Sequence, residues 1–192
     1  MAVREIVTVG HPVLRQRAAE VTAGELRSLA VQQLIDDLIE TMRSAGGAGL
    51  AANQIGELAR VAVVEVGENH PRYPYKTPIP LTVMVNPVME PTDAETVWIN
   101  EGCLSVPNLR GNVDRYLNIR IRYLDREGIE HDEARHGLTA GTFQHELDHL
   151  NGVMFLDRVR DPKSFTTWEQ FDRYHREAFV AHARELEART GF

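Results

Sequence analysis

The sequence predicts an α+β fold: mostly antiparallel strands around a central buried helix, with N-terminal and C-terminal helices flanking them. Three observations carry that expectation. Apolar residues recur at helical spacing near the start, at Leu26, Leu29, Leu34, Ile35, Leu38, Ile39 and Met42. The middle of the chain breaks into short β-branched runs separated by turn-forming residues. A short helical stretch then follows the last run and precedes a longer helical stretch at the end.

The first helix is expected over about residues 24–45. Thr22 with Glu25 three residues on is a capping-box pattern, and Gly46-Gly47 supplies a stop. Residues 60–66 and 81–85 are rich in β-branched side chains and read as strands. Between them, residues 67–80 hold four prolines and form a surface loop. Such a loop is either the rim of a substrate cleft or a tolerated insertion, and the second reading is preferred. Residues 96–99 are a strand leading to the single cysteine. Residues 117–124 alternate through Ile119, Ile121 and Tyr123, and Asp125 to Gly128 is a hairpin-type turn before Ile129. The central helix is expected over about 138–149, with Asn151-Gly152 as its stop. Asp161-Pro162 reads as an N-cap followed by proline at the first helical position. It opens a terminal helix over about 162–189, in which Phe165, Trp168, Phe171, His175, Ala178, Phe179 and His182 form one stripe. No internal repeat or low-complexity tract interrupts this order. The length suggests a single domain, residues 1–192, with its core at about 5–160.

Composition narrows the function classes. Hydrophobic residues make up 43% and charged residues 26% of 192, as in an ordinary globular protein. With 28 acidic against 21 basic residues the net charge is −7, which argues against DNA or a broad nucleic-acid face. One cysteine cannot form an internal disulfide and fits a reducing compartment. The first residues lack a signal-peptide or transit character, and no apolar run approaches the roughly 20 residues of a bilayer span. The expected location is cytoplasmic, with no membrane partner.

The chemistry concentrates in Gln144-His145-Glu146-Leu147-Asp148-His149. Histidines four apart on a helix share a face, so both rings can reach one metal ion, with Glu146 between them as a candidate general base. The central helix is thus expected to be a metal-binding helix; a polar helix that happens to carry two histidines is the plainer alternative. Two histidines are too few for a closed structural site, whereas a catalytic site uses three ligands and keeps one position open. In one peptidase pattern a further histidine is needed where Phe155 stands, and in another a downstream glutamate serves, for which Glu169 and Glu177 are available. Cys103, within Glu101-Gly102-Cys103-Leu104-Ser105, is the preferred third ligand, brought in by folding rather than by sequence spacing.

Three segments together resemble the peptide deformylase family, in the family's order: Gly47-Ala48-Gly49-Leu50-Ala51-Ala52-Asn53-Gln54, the Cys103 segment and the His145 segment. Gly10-His11-Pro12-Val13-Leu14-Arg15 is a weaker fourth match, and the resemblance spans about residues 10–157. It implies the same α+β fold and an amidohydrolase that removes the N-formyl group from the first methionine of nascent polypeptides, releasing formate. It also implies one divalent ion per chain on Cys103, His145 and His149, natively Fe2+, replaceable by Zn2+ or Ni2+; the Cys/His2 set by itself suits zinc. Such an ion lowers the pKa of bound water from 15.7 towards roughly 7, and Glu146 would take that water's proton and pass it to the departing nitrogen. The family's oxyanion donors fall here on the Gln54 side-chain amide and the Leu104 N–H. Ala48, Gly49, Gly102 and Gly141 fall along the substrate cleft, where bare glycines permit close backbone approach.

Two departures from the family pattern stand out. Asn53 replaces a usual proline or threonine, a tolerable loop change. Gly141 replaces a bulky aliphatic and Ala48 a valine or isoleucine, which predicts a wider pocket for the first side chain and a relaxed methionine preference, unless neighbours fill the space. His11, His70, His131, His136, His175 and His182 are outside ligand spacing. Glu101 and Asp148 are candidates to orient the ligands or to pair with Arg115. The ribosome is an expected transient partner, but residues 165–192 balance acids and bases, so a basic docking helix is not carried over. A zinc peptidase and a binding module without turnover remain the competing classes.

Overall fold

The computed structural model describes residues 2–68, 70, 72–73 and 75–190; Met1, Gly191, Phe192 and, within the proline-rich loop, Asn69, Pro71 and Pro74 lie outside the described residues. Strands β1 (Gly49–Ala51), β2 (Val61–Val66) and β3 (Ile79–Pro91) pair in sequence, each antiparallel to the next. A hairpin of β4 (Thr96–Cys103) and β5 (Val106–Tyr116) then leaves this sheet and pairs only with itself. The chain returns through β6 (Asn118–Leu124), which pairs with β3, and β7 (Glu130–His136), giving the order β1-β2-β3-β6-β7.

Helices cover both faces of the five-stranded sheet. Val61 and Val63 of β2 pack with Ile35, Leu38, Ile39 and Met42 of α2 (Leu29–Ser44). Ala62 and Val64 pack with Phe143, Leu147 and Leu150 of α3 (Gly137–Leu150). Residues 61–64 are therefore buried on both faces, which explains an uninterrupted valine-rich run in place of alternation. Phe143 and Leu150 are fully buried, each contributing roughly 1.5–3 kcal/mol over an exposed position. The end of α3 is tied to the sheet by Arg60, which donates to Leu150 O (3.3 Å), Asn151 Oδ1 (3.0 Å) and Pro87 O (3.0 Å). Basic groups at a helix C-terminus satisfy carbonyls that have no partner within the helix.

The expected first helix is two helices. The Thr22–Glu25 capping box opens α1 (Ala23–Leu26), as predicted, but Ser28 then caps α2 through the Val31 N–H. Leu29 is 90% exposed, so its place in the helical repeat was accidental. The expected terminal helix is likewise divided. Asp161 caps only a short 3-10 turn, Pro162–Ser164, and Thr167 caps α5 (Trp168–Tyr174), which precedes α6 (Arg176–Thr190). The single stripe fails with it: His175 and Ala178 are exposed, and Phe171, Phe179, Ala183 and Leu186 make the buried face. A short helix, α4 (Phe155–Arg158), links α3 to this region.

Two strands were not expected, β1 and β5, while β7 was foreshadowed only by the Asp125–Gly128 hairpin turn, across which it pairs with β6. The inward positions of β5 include Arg110 and Arg115, so no apolar alternation marks it. β7, Glu-His-Asp-Glu-Ala-Arg-His, is polar except for Ala134 and forms an edge of the sheet, where charge discourages pairing with other chains. Among the described residues no helix is long and apolar enough to cross a membrane.

Candidate active site

The hairpin lies against α3 so that β4 and the helix run side by side in the same direction. Ile99 meets Gly141, Glu101 meets His145 and Cys103 meets His149. Residues two apart on a strand share a face, as do residues four apart on a helix. Gln144 fixes the helix against the end of β5, accepting from the Tyr116 N–H (3.0 Å) and donating to Tyr116 O (2.8 Å).

Cys103 Sγ is 3.2 Å from His149 Nε2, which is 3.3 Å from His145 Nε2. The three ligand atoms lie within 4.8 Å of one another, and no other such cluster of His, Cys, Asp or Glu occurs among the described residues. Glu169 and Glu177 are exposed and stand outside it. Phe155 is buried with its ring 6.3 Å from that of His145. The donor set fits one divalent ion: a soft sulfur and two imidazole nitrogens, with room for a fourth position.

Charge around the cluster is ordered. Glu101 Oε2 is 2.8 Å from His145 Nδ1. Arg115, almost fully buried, donates to both Glu101 oxygens (2.7 and 2.9 Å) and to Asp148 Oδ2 (2.5 Å). Asp148 also pairs with Arg158. Both sequence alternatives for Glu101 are thus realised at once, while Asp148 joins the arginines. Burial alone would raise the Glu101 carboxyl, but Arg115 and His145 hold it far below the usual carboxylate range. Burial also opposes charge on His145, yet its bonds to Cys103 and Glu101 hold the ring well above its ordinary value. His149 is pushed well below its ordinary value by burial and then by His145, leaving a neutral imidazole.

Glu146 points elsewhere. Its carboxyl lies against Gly49, where a Cβ would sit 2.3 Å from Oε1 and 2.6 Å from Cδ. Oε2 is buried without a hydrogen-bond partner, and burial pushes the group from 4.5 up to about 7. The bare edge of Gly49 therefore makes room for this side chain, a role distinct from the close substrate approach expected of it. Gln54 is held by its own 3-10 turn (Ala52–Ile55): its Oε1 accepts from the Ala51 N–H at 2.9 Å. Its amide nitrogen donates to Ser105 Oγ (3.2 Å) and faces Cys103 Sγ at 3.5 Å. Leu104 opens the turn between β4 and β5, and its Cδ1 would be 2.8 Å from a Cβ on Gly47. A Cβ on Gly102 would meet Arg110 atoms at 3.4 Å.

One cavity, about 630 Å³ with its open mouth included, is lined by Ala48, Gly49, Gln54, Gly102, Cys103, Leu104, Gly141, His145 and Glu146; His149 lies behind it. The widening expected at Gly141 is not found beside it, because Ile99 Cδ1 lies 2.5 Å from where its Cβ would be. Tyr73, Tyr75 and Lys76 of the proline-rich loop also line the cavity, so the preferred reading of that loop as a mere insertion is corrected. Two tyrosines and a lysine among prolines were the available signal. Phe179 of α6 and Arg110 of β5 were also missed. The Arg110 guanidinium lies against the rings of both Trp168 (4.0 Å to the centroid) and Phe171 (4.4 Å), which holds α5 to the hairpin. The other histidines stay out of the cluster: His131 stacks on Tyr123, His182 on Trp98, and His136 bonds to Asn118.

The profile of the polypeptide deformylase family matches residues 3–165. A peptide deformylase of Leptospira biflexa is 42% identical over 172 residues, covering 90% of this chain and 96% of that protein. One from Pseudomonas aeruginosa is 39% identical over 179 residues, covering 92% and 99%. Among solved structures, a Met-Ala-Ser-bound class I type b peptide deformylase from Acinetobacter baumannii superposes with TM-score 0.78 at 38% identity, over 82% of this chain and 99% of that one. A Synechococcus elongatus peptide deformylase in complex with actinonin gives 0.73 at 30% identity, over 98% and 86%.

Proposed function

Because the chain belongs to the polypeptide deformylase family, hydrolases that take the N-formyl group from new polypeptides, we propose that it releases formate from N-formylmethionyl nascent peptides at the cavity beside Cys103, His145 and His149. The observation that carries this reading is the pairing of a three-ligand cluster with the buried, unpartnered Glu146 Oε2 in one cavity. The family is metal-dependent, and we assign the ion to those three ligands, natively Fe2+, with Zn2+ or Ni2+ able to take its place. When bound, a divalent ion supplies Lewis acidity and a nucleophile from water at neutral pH.

The chain's own residues do the rest. Glu146, with a carboxyl near neutrality, accepts a proton at Oε2 and returns it to the departing amine nitrogen. Gln54 turns its amide nitrogen towards Cys103, so a small reorientation from Ser105 lets it donate to the developing oxyanion alongside the Leu104 N–H. Each such donor is typically worth ~10²–10³ in turnover. Gly49 lines the cavity while making room for Glu146, Gly102 lines it beside Arg110, and Ala48 and Gly141 border the first side chain. Glu101 holds His145 in one tautomer, and Arg115 holds Glu101. We treat residues 1–192 as one catalytic domain, since Phe179 of α6 shares the cavity with α3 and β4. Its site of action is the cytoplasm, where the ribosome is met only transiently.

The test is anaerobic purification with metal analysis, paired with formate release from formyl-Met-Ala-Ser. One ion per chain is expected, lost in Cys103→Ala, with Glu146→Gln retaining the ion but losing ~10²–10⁴-fold in turnover. Stoichiometric metal in Cys103→Ala would revive a zinc-peptidase reading. Metal without formate release would leave a binding module.

A further inference from the structure

Among the groups lining the cavity, the Lys76 amine has no part in the chemistry above. Its Nζ donates to Thr142 Oγ1 at 2.8 Å and lies 4.9 Å from the centroid of the Tyr73 ring. Thr142 Oγ1 itself donates to Leu138 O at 3.1 Å, so it can only accept from the lysine. An amine carries two N–H bonds and an ammonium three; after Thr142 takes one, at least one is left for a ligand. The wall it joins is built mostly of small and apolar side chains, with Arg110 the other cation lining the cavity. Ala48 and Gly141 are small, Ile99 fills in beside Gly141, and Tyr75 packs edge-on against Phe179 at 5.3 Å. The loop and α6 thus supply what α3 omits, and they add a donor.

Resting on the deformylase reading, we propose that Lys76 is a specificity-determining residue for the substrate's first side chain. It favours an acceptor at the methionine sulfur position: the thioether, and more strongly its sulfoxide, over the isosteric hydrocarbon of norleucine. In a purely apolar pocket a sulfoxide oxygen is rejected, because it loses water and gains no partner. Opposite a buried amine it regains a charge-assisted bond, and norleucine instead leaves the amine short of a partner. Formyl-methionine sulfoxide peptides are therefore substrates of this chain.

The experiment measures kcat/KM for formyl-norleucyl, formyl-methionyl and formyl-methionine-sulfoxide peptides with the same Ala-Ser tail. The parent should cleave the sulfoxide peptide at least as well as the norleucine peptide. Lys76→Met should lower the sulfoxide-to-norleucine ratio by ~10-fold or more, and Lys76→Arg should keep most of it. Thr142→Val, which retains the amine but removes its anchor, should lower the ratio by a smaller factor and gives a reading even if Lys76→Met fails to fold. A ratio within about twofold of the parent in the Lys76→Met and Thr142→Val variants that fold overturns the proposal. Absence of formate from all three peptides would instead overturn the deformylase reading itself.

Discussion

Gly49→Ala is the smallest change that should separate the chemistry from the metal. An ideal Cβ there lies 2.3 Å from Glu146 Oε1, 2.6 Å from Cδ and 2.8 Å from Cγ. Ordinary contact needs at least 3.4 Å, so the carboxyl must retreat by about 1 Å. It cannot do so by moving the helix, since Phe143, Leu147 and Leu150 lock α3 to the sheet. A 1 Å misplacement of a catalytic group costs on the order of 10²-fold, or about 2.7 kcal/mol of barrier. Stability should change little: Gly49 does not need a left-handed backbone, and alanine in a strand offsets part of the strain. Steady-state formate release should therefore show kcat down about 10²-fold, with bound metal unchanged. A kcat within about threefold of the parent would refute the reasoning, because it would mean that the carboxyl need not sit against this glycine.

Arg115→Met should leave Glu101 and Asp148 as buried carboxylates without their shared cation, costing roughly 3–5 kcal/mol by chemical denaturation and weakening metal binding through His145. Gly141→Ile should destabilise by about 1–3 kcal/mol, because Ile99 Cδ1 already occupies the space; a thermally unchanged variant would show that Ile99 can vacate it. Burial pushes Lys76 from 10.5 down to about 8 against the pull of Glu101. Below about 8 both states carry the charge, and the folded one bears its burial. Between about 8 and 10.5 the unfolded chain holds a proton that the folded chain has released, so stability gains with rising pH. Denaturation of parent and Lys76→Met should therefore diverge in the parent's favour across that window, and parallel curves would exclude the shift.

Local chemistry made part of the molecule readable. The His145–His149 spacing, the Thr22 cap and the Asn151-Gly152 stop each depend on residues within one or two turns, and each is found where expected. What escaped depends on partners far away in sequence. β5 hides because its inward arginines are held by Asn100, Glu101 and Asp148, and by the rings of Trp168 and Phe171, so burial there is not marked by apolar residues. The loop of residues 67–80 looked like solvent-facing chain because the neighbours of Tyr75 and Lys76, Phe179 and Thr142, lie more than sixty residues on. The first helix was over-extended because Leu29 fits the repeat while facing water.

The side-by-side run of β4 and α3 has a consequence for how freely the rest of the chain can vary. Two strand residues climb roughly 6.8 Å and four helical residues roughly 6.0 Å, so the two ladders slip by only about 0.8 Å per rung. Ile99–Gly141, Glu101–His145 and Cys103–His149 are three such rungs, and the accumulated slip stays within side-chain reach. The ligands are thus positioned like marks on two rulers laid together, and the chain between Cys103 and His145 carries no metric information. Residues added at the Asp125–Gly128 turn would lengthen the path without moving either ruler, whereas a single residue inserted between Ile99 and Glu101 would turn both Glu101 and Cys103 away from the face that Ile99 presents to the helix.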